Sequence, residues 1–108
     1  YAVIERSSSG LIGYCGLFHF PDVNGQEEIE LGYRLKRAAW GQGYATQAAR
    51  AVRDFAFHAL NIKRLIALID PENVSSIRVA EKIGMHYESD VTLEGYDHPD
   101  HVYAVIKD

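Results

Sequence analysis

The chain has 108 residues, 47% of them hydrophobic and 24% charged, and a formal net charge of −4. This is the composition of one small globular domain spanning residues 1–108, and its acidity argues against a nucleic-acid partner, which asks for a basic face. No apolar run approaches the roughly 18 residues of a membrane helix, no signal peptide is apparent, and a lone Cys15 leaves no disulfide framework or cysteine metal site, so the cytoplasm is the expected compartment.

The first residues, Tyr1 to Glu5, already read as strand, which suggests that an N-terminal piece of the domain is missing. Ser7-Ser8-Ser9-Gly10 is a turn cluster. Leu11 to Phe20 is apolar and aromatic and reads as the partner strand of a hairpin. Within it Cys15 reads as a small buried hydrophobe. Pro21 to Gly25 reads as a loop, and Glu28 to Lys36 as a third strand. Gly32 inside that strand marks a bulge or a close backbone approach. From Ala45 the apolar residues Ala48, Ala49, Val52, Phe55, Ala56, Ala59 and Leu60 recur in steps of three and four, one face of a helix. Gln47, Arg50, Arg53 and Asp54 take the opposite face, and Asn61 suits a left-handed close. Arg64 to Ile69 is nearly all apolar, as in a central strand covered on both sides. A second helix runs from about Val74 to Ile83, with Asn73 at its cap and Gly84 past its end. Met85 to Leu93 and His101 to Ile106 are the last strands. The order is β-β-β-α-β-α-β-β, an α/β (α+β) fold with a mixed sheet.

Chemistry concentrates at Trp40-Gly41-Gln42-Gly43-Tyr44-Ala45-Thr46, between a strand and an amphipathic helix. The two glycines let the backbone approach a ligand, and the following helix offers unpaired N–H groups and a positive dipole end. Such a junction suits a phosphate or pyrophosphate; the same pattern also serves as a plain glycine turn. It lacks the lysine of a P-loop and the full glycine fingerprint of a dinucleotide fold. The five histidines show no metal spacing. His98 and His101 flank a turn, where acidic partners or a metal are conceivable ligands and a plain surface turn is the simpler reading.

This junction resembles that of the GNAT superfamily of N-acetyltransferases, whose Q/R-x-x-G-x-G/A segment binds the pyrophosphate of coenzyme A. Trp40 departs from the first position; the W-G-x-G-Y-A-T form is similar to the branch of ribosomal-protein N-terminal acetyltransferases. Ile29 to Leu35 resembles that branch's E-I-G-Y-x-L strand, and Asn73 to Met85 its N-x-x-S-x-x-x-x-E-K-x-G-F segment. The resemblance implies a mostly antiparallel sheet with a central, splayed parallel pair, formed by Glu28–Lys36 and Arg64–Ile69. The family's first strand and first two helices have no counterpart here. It also implies acetyl-CoA as cosubstrate without a metal, and an amine acceptor: a protein N-terminus or a small amine.

Acetyl transfer needs a base for the ammonium, donors for the oxyanion and help for the leaving thiolate. By resemblance the backbone of Tyr33, Arg34 and Leu35 pairs with the pantetheine arm, and Trp40, Gly41, Gln42, Gly43, Tyr44, Ala45 and Thr46 hold the pyrophosphate. Glu30, alternating with Ile29 and Leu31, is the candidate base; Glu94 is its rival, and Glu27 and Glu28 read as surface charges. Many family members carry a proton-donating tyrosine where this chain has Ala80, which leaves Ser76 as the candidate to bond the departing sulfur. Asn73 either contacts pantetheine or simply caps its helix. Tyr14, Phe18 and Phe20 line the acceptor pocket or belong to the core. A non-catalytic acyl-CoA-binding or assembly module is the competing reading. Oligomeric state is open, a homodimer included.

Overall fold

The computed structural model describes residues 2–7, 10–35 and 42–107, with side chains for 15–32 and 45–107. Its elements are β1 (Ala2–Ser7), β2 (Gly10–Val23), β3 (Gln26–Leu35), α1 (Gln42–His58), β4 (Arg64–Ile69), α2 (Val74–Lys82), β5 (His86–Val91) and β6 (Asp100–Ile106). They form one six-stranded sheet in the order β1-β2-β3-β4-β6-β5. Every neighbouring pair is antiparallel except β3 and β4, which run parallel. The element order and the mixed sheet agree with the sequence.

The expected loop over Pro21 to Gly25 needs correction. Strand β2 continues to Val23, and the turn is Asn24-Gly25 alone, both at positive φ (53° and 83°). Asn-Gly is the dipeptide such a two-residue hairpin turn demands. Pro21 is tolerated because the register slips between Phe20 and Val23, where a bulge spares its missing donor. The hairpin end reaches over one face of the sheet: Val23 is buried, and Asn24 Nδ2 donates to the Asp90 carbonyl at 3.1 Å.

Side-chain alternation sends Leu31, Leu65, Ala67 and Ile69 to the face that α1 and α2 cover. They pack there with Ala49, Val52, Ala56, Val79, Ala80 and Ile83. Cys15 is buried in this core, its thiol pushed up to about 12 by desolvation, which removes it as a nucleophile near neutral pH. The opposite face carries a smaller apolar cluster of Val23, Ile66, Val91, Val102 and Ala104.

Both helices end by recognisable local chemistry. Gly84 at φ 93° lets its own N–H reach the Glu81 carbonyl while the Met85 N–H reaches Ala80, a Schellman close. Asn61, at φ 56°, follows α1 in the left-handed conformation its side chain tolerates. Arg50 and Arg53, off the apolar stripe of α1 as periodicity places them, also cap α2. Arg50 Nη2 donates to the Lys82 carbonyl at 3.2 Å and Arg53 Nη1 to that of Ile83 at 2.7 Å. These bonds fix one helix against the other.

Candidate active site

Because β3 and β4 are parallel, their carboxyl ends lie at one end of the sheet, and α1 and α2 both begin just beyond it. That is where open α/β sheets place ligands. Among the described residues the two strands share one register pair, Glu30 with Ile66. One level further on, the Leu68 N–H donates to Glu30 Oε2 at 3.2 Å rather than to a β3 carbonyl. Among the described residues the ladder thus ends at this pair, and the Glu30 carboxylate takes the amide just past it.

Gly32 forms no bulge: the register with β2 runs unbroken through it. The close-approach alternative is what the structure has. A Cβ on Gly32 would lie 3.0 Å from Phe18 Cδ2 and Cε2 and 3.4 Å from Glu30 Oε1. The ring of Phe18, 39% exposed, lies across the glycine. Phe18 and Glu30 are direct cross-strand partners, so an aromatic edge and a carboxylate share one patch beside the end of the β3–β4 ladder.

Helix α1 starts at Gln42, three residues before the apolar period, which puts Gln42, Gly43, Tyr44 and Ala45 in its first turn. The backbone N–H groups of Gln42, Gly43 and Tyr44 precede the first intrahelical bond. Thr46, one residue further on, is only 7% exposed, and its Oγ1 has no hydrogen-bond partner among the described residues. A buried hydroxyl with no partner among the described residues, beside the amides of a helix's first turn, fits an anionic group. Trp40 and Gly41 lie outside the described residues, and Tyr33, Arg34 and Leu35 are described by their backbone on β3.

At the start of α2, Asn73 Oδ1 accepts the Ser76 N–H at 3.2 Å, a helix N-cap. The structure therefore engages the Asn73 oxygen in capping and places half-buried Ser76 in the first turn, facing the same end of the sheet as α1. Ala80 is fully buried in the helix-side core. Glu94 is not on the penultimate strand, which stops at Val91; it is an exposed turn residue. Phe20 packs against the smaller cluster.

Sequence reasoning misses Glu28, which reads as a surface charge. It is 7% exposed and receives the guanidinium of Arg64, Nε to Oε1 at 3.0 Å and Nη2 to Oε2 at 2.8 Å. Arg64 also reaches Glu88, Nη1 to Oε2 at 2.8 Å. Alternation puts Glu28 on the same face as Glu30, but its partner is 36 residues away, so no local signal points to the pair. The two turn histidines find acidic partners: His101 Nδ1 lies 2.6 Å from Asp90 Oδ1, and His98 Nε2 3.7 Å from Asp70 Oδ2. Among the described residues no group of three His, Cys, Asp or Glu side chains is placed to hold a metal ion, and no helix is long and apolar enough to cross a membrane.

The family profile of the acetyltransferase (GNAT) domain matches residues 1–86. The chain belongs to the GNAT family. Its GNAT relatives include an Agrobacterium tumefaciens acetyltransferase of known crystal structure, 34% identical with a TM-score of 0.77; the match covers 98% of this chain and 60% of that one. The structure of a putative ribosomal-protein-serine acetyltransferase from Vibrio cholerae superposes with a TM-score of 0.73 at 28% identity, covering 99% of this chain and 64% of its own. The uncharacterized protein YkkB of Bacillus subtilis is 41% identical over 99 residues, which are 92% of this chain and 56% of YkkB. The chain thus spans somewhat over half the length of these relatives.

Proposed function

We propose that the protein is an acetyl-CoA-dependent N-acetyltransferase that moves an acetyl group to a primary amine, a protein N-terminus or a small-molecule amine, by direct attack in a ternary complex. The observation that carries the reading is the short parallel β3–β4 ladder, with the Glu30 carboxylate on the Leu68 amide just past its end, and the buried Thr46 hydroxyl, without a partner among the described residues, at the start of α1. Acetyl-CoA supplies an activated acyl carbon and a thiolate leaving group. The backbone of Tyr33 to Leu35 pairs with the pantetheine arm, and Trp40 to Thr46 receive the pyrophosphate on backbone N–H groups. Asn73 keeps the first turn of α2 in place. Glu30 takes a proton from the ammonium, directly or through water. The freed nitrogen pair bonds to the acyl carbon, the carbon–sulfur bond breaks, and the second amine proton passes to sulfur. The Ser76 hydroxyl donates to that sulfur as its charge builds. Reaction in the cytoplasm and a homodimeric assembly belong to the same reading.

Calorimetry with acetyl-CoA tests it. Binding should be measurable between micromolar and millimolar concentrations and should raise the melting temperature by mass action. Gly43→Asp sets a like charge against the pyrophosphate and should weaken binding strongly. Absence of both heat and thermal shift at millimolar acetyl-CoA overturns the reading. Binding without turnover on a broad amine panel favours a non-catalytic acyl-CoA-binding module, in keeping with Ala80 at the position of the usual tyrosine.

A further inference from the structure

Glu28 and Arg64 sit two residues before Glu30 and Ile66, the register pair that β3 and β4 share. In parallel strands this puts both side chains on the same face, one level toward the amino ends. Three successive levels therefore differ in kind. At the first, the guanidinium of Arg64 forks onto the Glu28 carboxylate, Nε to Oε1 at 3.0 Å and Nη2 to Oε2 at 2.8 Å. At the second, the backbones pair. At the third, the Leu68 N–H turns to the Glu30 carboxylate. The other edge of the guanidinium holds Glu88 on β5, Nη1 to Oε2 at 2.8 Å and Nη2 to Oε1 at 2.6 Å. Strand β6 lies between β4 and β5, so one side chain ties together strands on both sides of β4.

We propose that Arg64 is a positioning residue that pins the amino end of the β3–β4 wedge through Glu28 and Glu88, and so sets how far the strands stand apart at Glu30 and Leu68. The inference rests on the acetyltransferase reading for its consequence in catalysis and on the hydrogen bonds alone for its mechanical part. A planar fork suits this role because two parallel N–H···O bonds fix direction as well as distance, whereas an ammonium fixes distance only. Glu28 is nearly buried, so the pair is not a loosely solvated one. The lever is short: Leu68 is four residues beyond Arg64, about 13 Å along an extended strand. A small rotation at the clamp becomes a comparable shift where the thioester would lie, and catalysis is sensitive to displacements on that scale.

The test replaces the ion pair by apolar residues of similar length. Arg64→Met combined with Glu28→Leu removes the fork without leaving a buried charge, a change that proteins often tolerate without loss of stability. Melting temperature, KM for acetyl-CoA, kcat and deuterium exchange at the Leu68 amide are measured on the parent and the double variant. A positioning role predicts a melting temperature near the parent's, kcat/KM lowered about ten- to hundredfold, and Leu68 exchange faster by about tenfold as its bond to Glu30 loosens. A merely structural role moves the melting temperature and neither of the others. A folded double variant with parental kcat/KM, or with unchanged Leu68 exchange, overturns the proposal. If the double variant does not fold, Arg64→Lys, which keeps the charge and loses the fork, is measured in its place, and the same outcomes support or overturn the clamp. If the parent itself neither binds acetyl-CoA nor transfers acetyl, the functional reading fails, and the Leu68 exchange rate alone decides whether the clamp exists.

Discussion

The two faces of the sheet are built from different materials. Toward the helices, Leu31, Leu65, Ala67 and Ile69 meet Ala49, Val52, Ala56, Val79 and Ile83 in a wholly apolar layer. On the other side the apolar cluster around Ile66 and Val102 is interrupted by Glu28, Arg64 and Glu30, and the Phe18 ring is partly bare. Strand β3 makes the separation by alternation alone, with Ile29 and Leu31 one way and Glu28, Glu30 and Gly32 the other. One face holds the molecule together, and polar groups that would weaken a core are gathered on its reverse.

The sharpest way to test that division is Glu30→Gln. The amide oxygen can still accept from the Leu68 N–H, so the melting temperature should stay near the parent's, while turnover should fall by roughly 10²–10⁴-fold. Steady-state kinetics beside a thermal melt reads both. Near-normal turnover would remove Glu30 as the base and turn suspicion to Glu94.

Leu65→Ala asks the converse question of the helix-side face. Leu65 is fully buried, and truncation there should cost about 2–5 kcal/mol by denaturant titration, with KM of the remaining folded protein unchanged. A large change in KM with little loss of stability would mean the faces are not separate in function.

Gly32→Ala probes the polar face more gently. The new methyl needs the Phe18 ring to move by a few tenths of an ångström, and a partly exposed ring can do so. The loss is offset by the backbone entropy a glycine carries, so stability should change by less than about 1 kcal/mol. The displaced ring and carboxylate should still lower kcat/KM by about tenfold. Equal activity would show that the Phe18–Glu30 patch has no part in the acceptor site.

The smallest effect concerns acid. Hydrogen bonds from Arg64 hold the Glu88 carboxyl below its ordinary value of 4.5. A carboxyl held low in the folded chain stabilises it fully above the ordinary value, and the contribution fades as the pH falls through the lowered one. Melts from about pH 6 to about pH 3 should therefore show a slightly shallower acid decline for Glu88→Gln than for the parent. The difference is small because Glu88 is half exposed and solvent screens the pair. Parallel curves would show that Glu88 contributes nothing to the clamp at acid pH.

Order, helix faces and caps are legible because each is written in local spacing. The apolar period from Ala45, the Asn73 cap and Gly84 beyond α2 all stand where the pattern puts them. The start of α1 is not legible, because Gly43 and the polar Gln42 belong to the helix without adding to its apolar stripe. Pro21 hides the continuation of β2, although Asn24-Gly25 is a strong hairpin signal once the bulge is known. Alternation within one strand is enough to find Glu30. Its bond to Leu68 and the Glu28–Arg64 pair are beyond that reach, since both depend on the register of two parallel strands separated by a whole helix. The acceptors of Arg50 and Arg53 are out of reach for the same reason: they belong to another helix.

The bond from the Asn24 side chain to the Asp90 carbonyl joins residues 66 apart in the chain. Nothing local can assemble it. The hairpin must form, β4, β6 and β5 must be laid down beside it, and only then do donor and acceptor meet. Such a late fastener belongs to the descent from the transition state and not to the climb toward it. Removing it should leave the rate of folding as it was and shorten the lifetime of the folded molecule. Stopped-flow kinetics on Asn24→Gly, which keeps the turn's positive φ and removes the side chain, would show this as a raised unfolding arm, a few-fold faster, beside an unmoved folding arm. The tip of the hairpin would then act as a timer: it has little say in whether the chain folds and a measurable one in how long it stays folded.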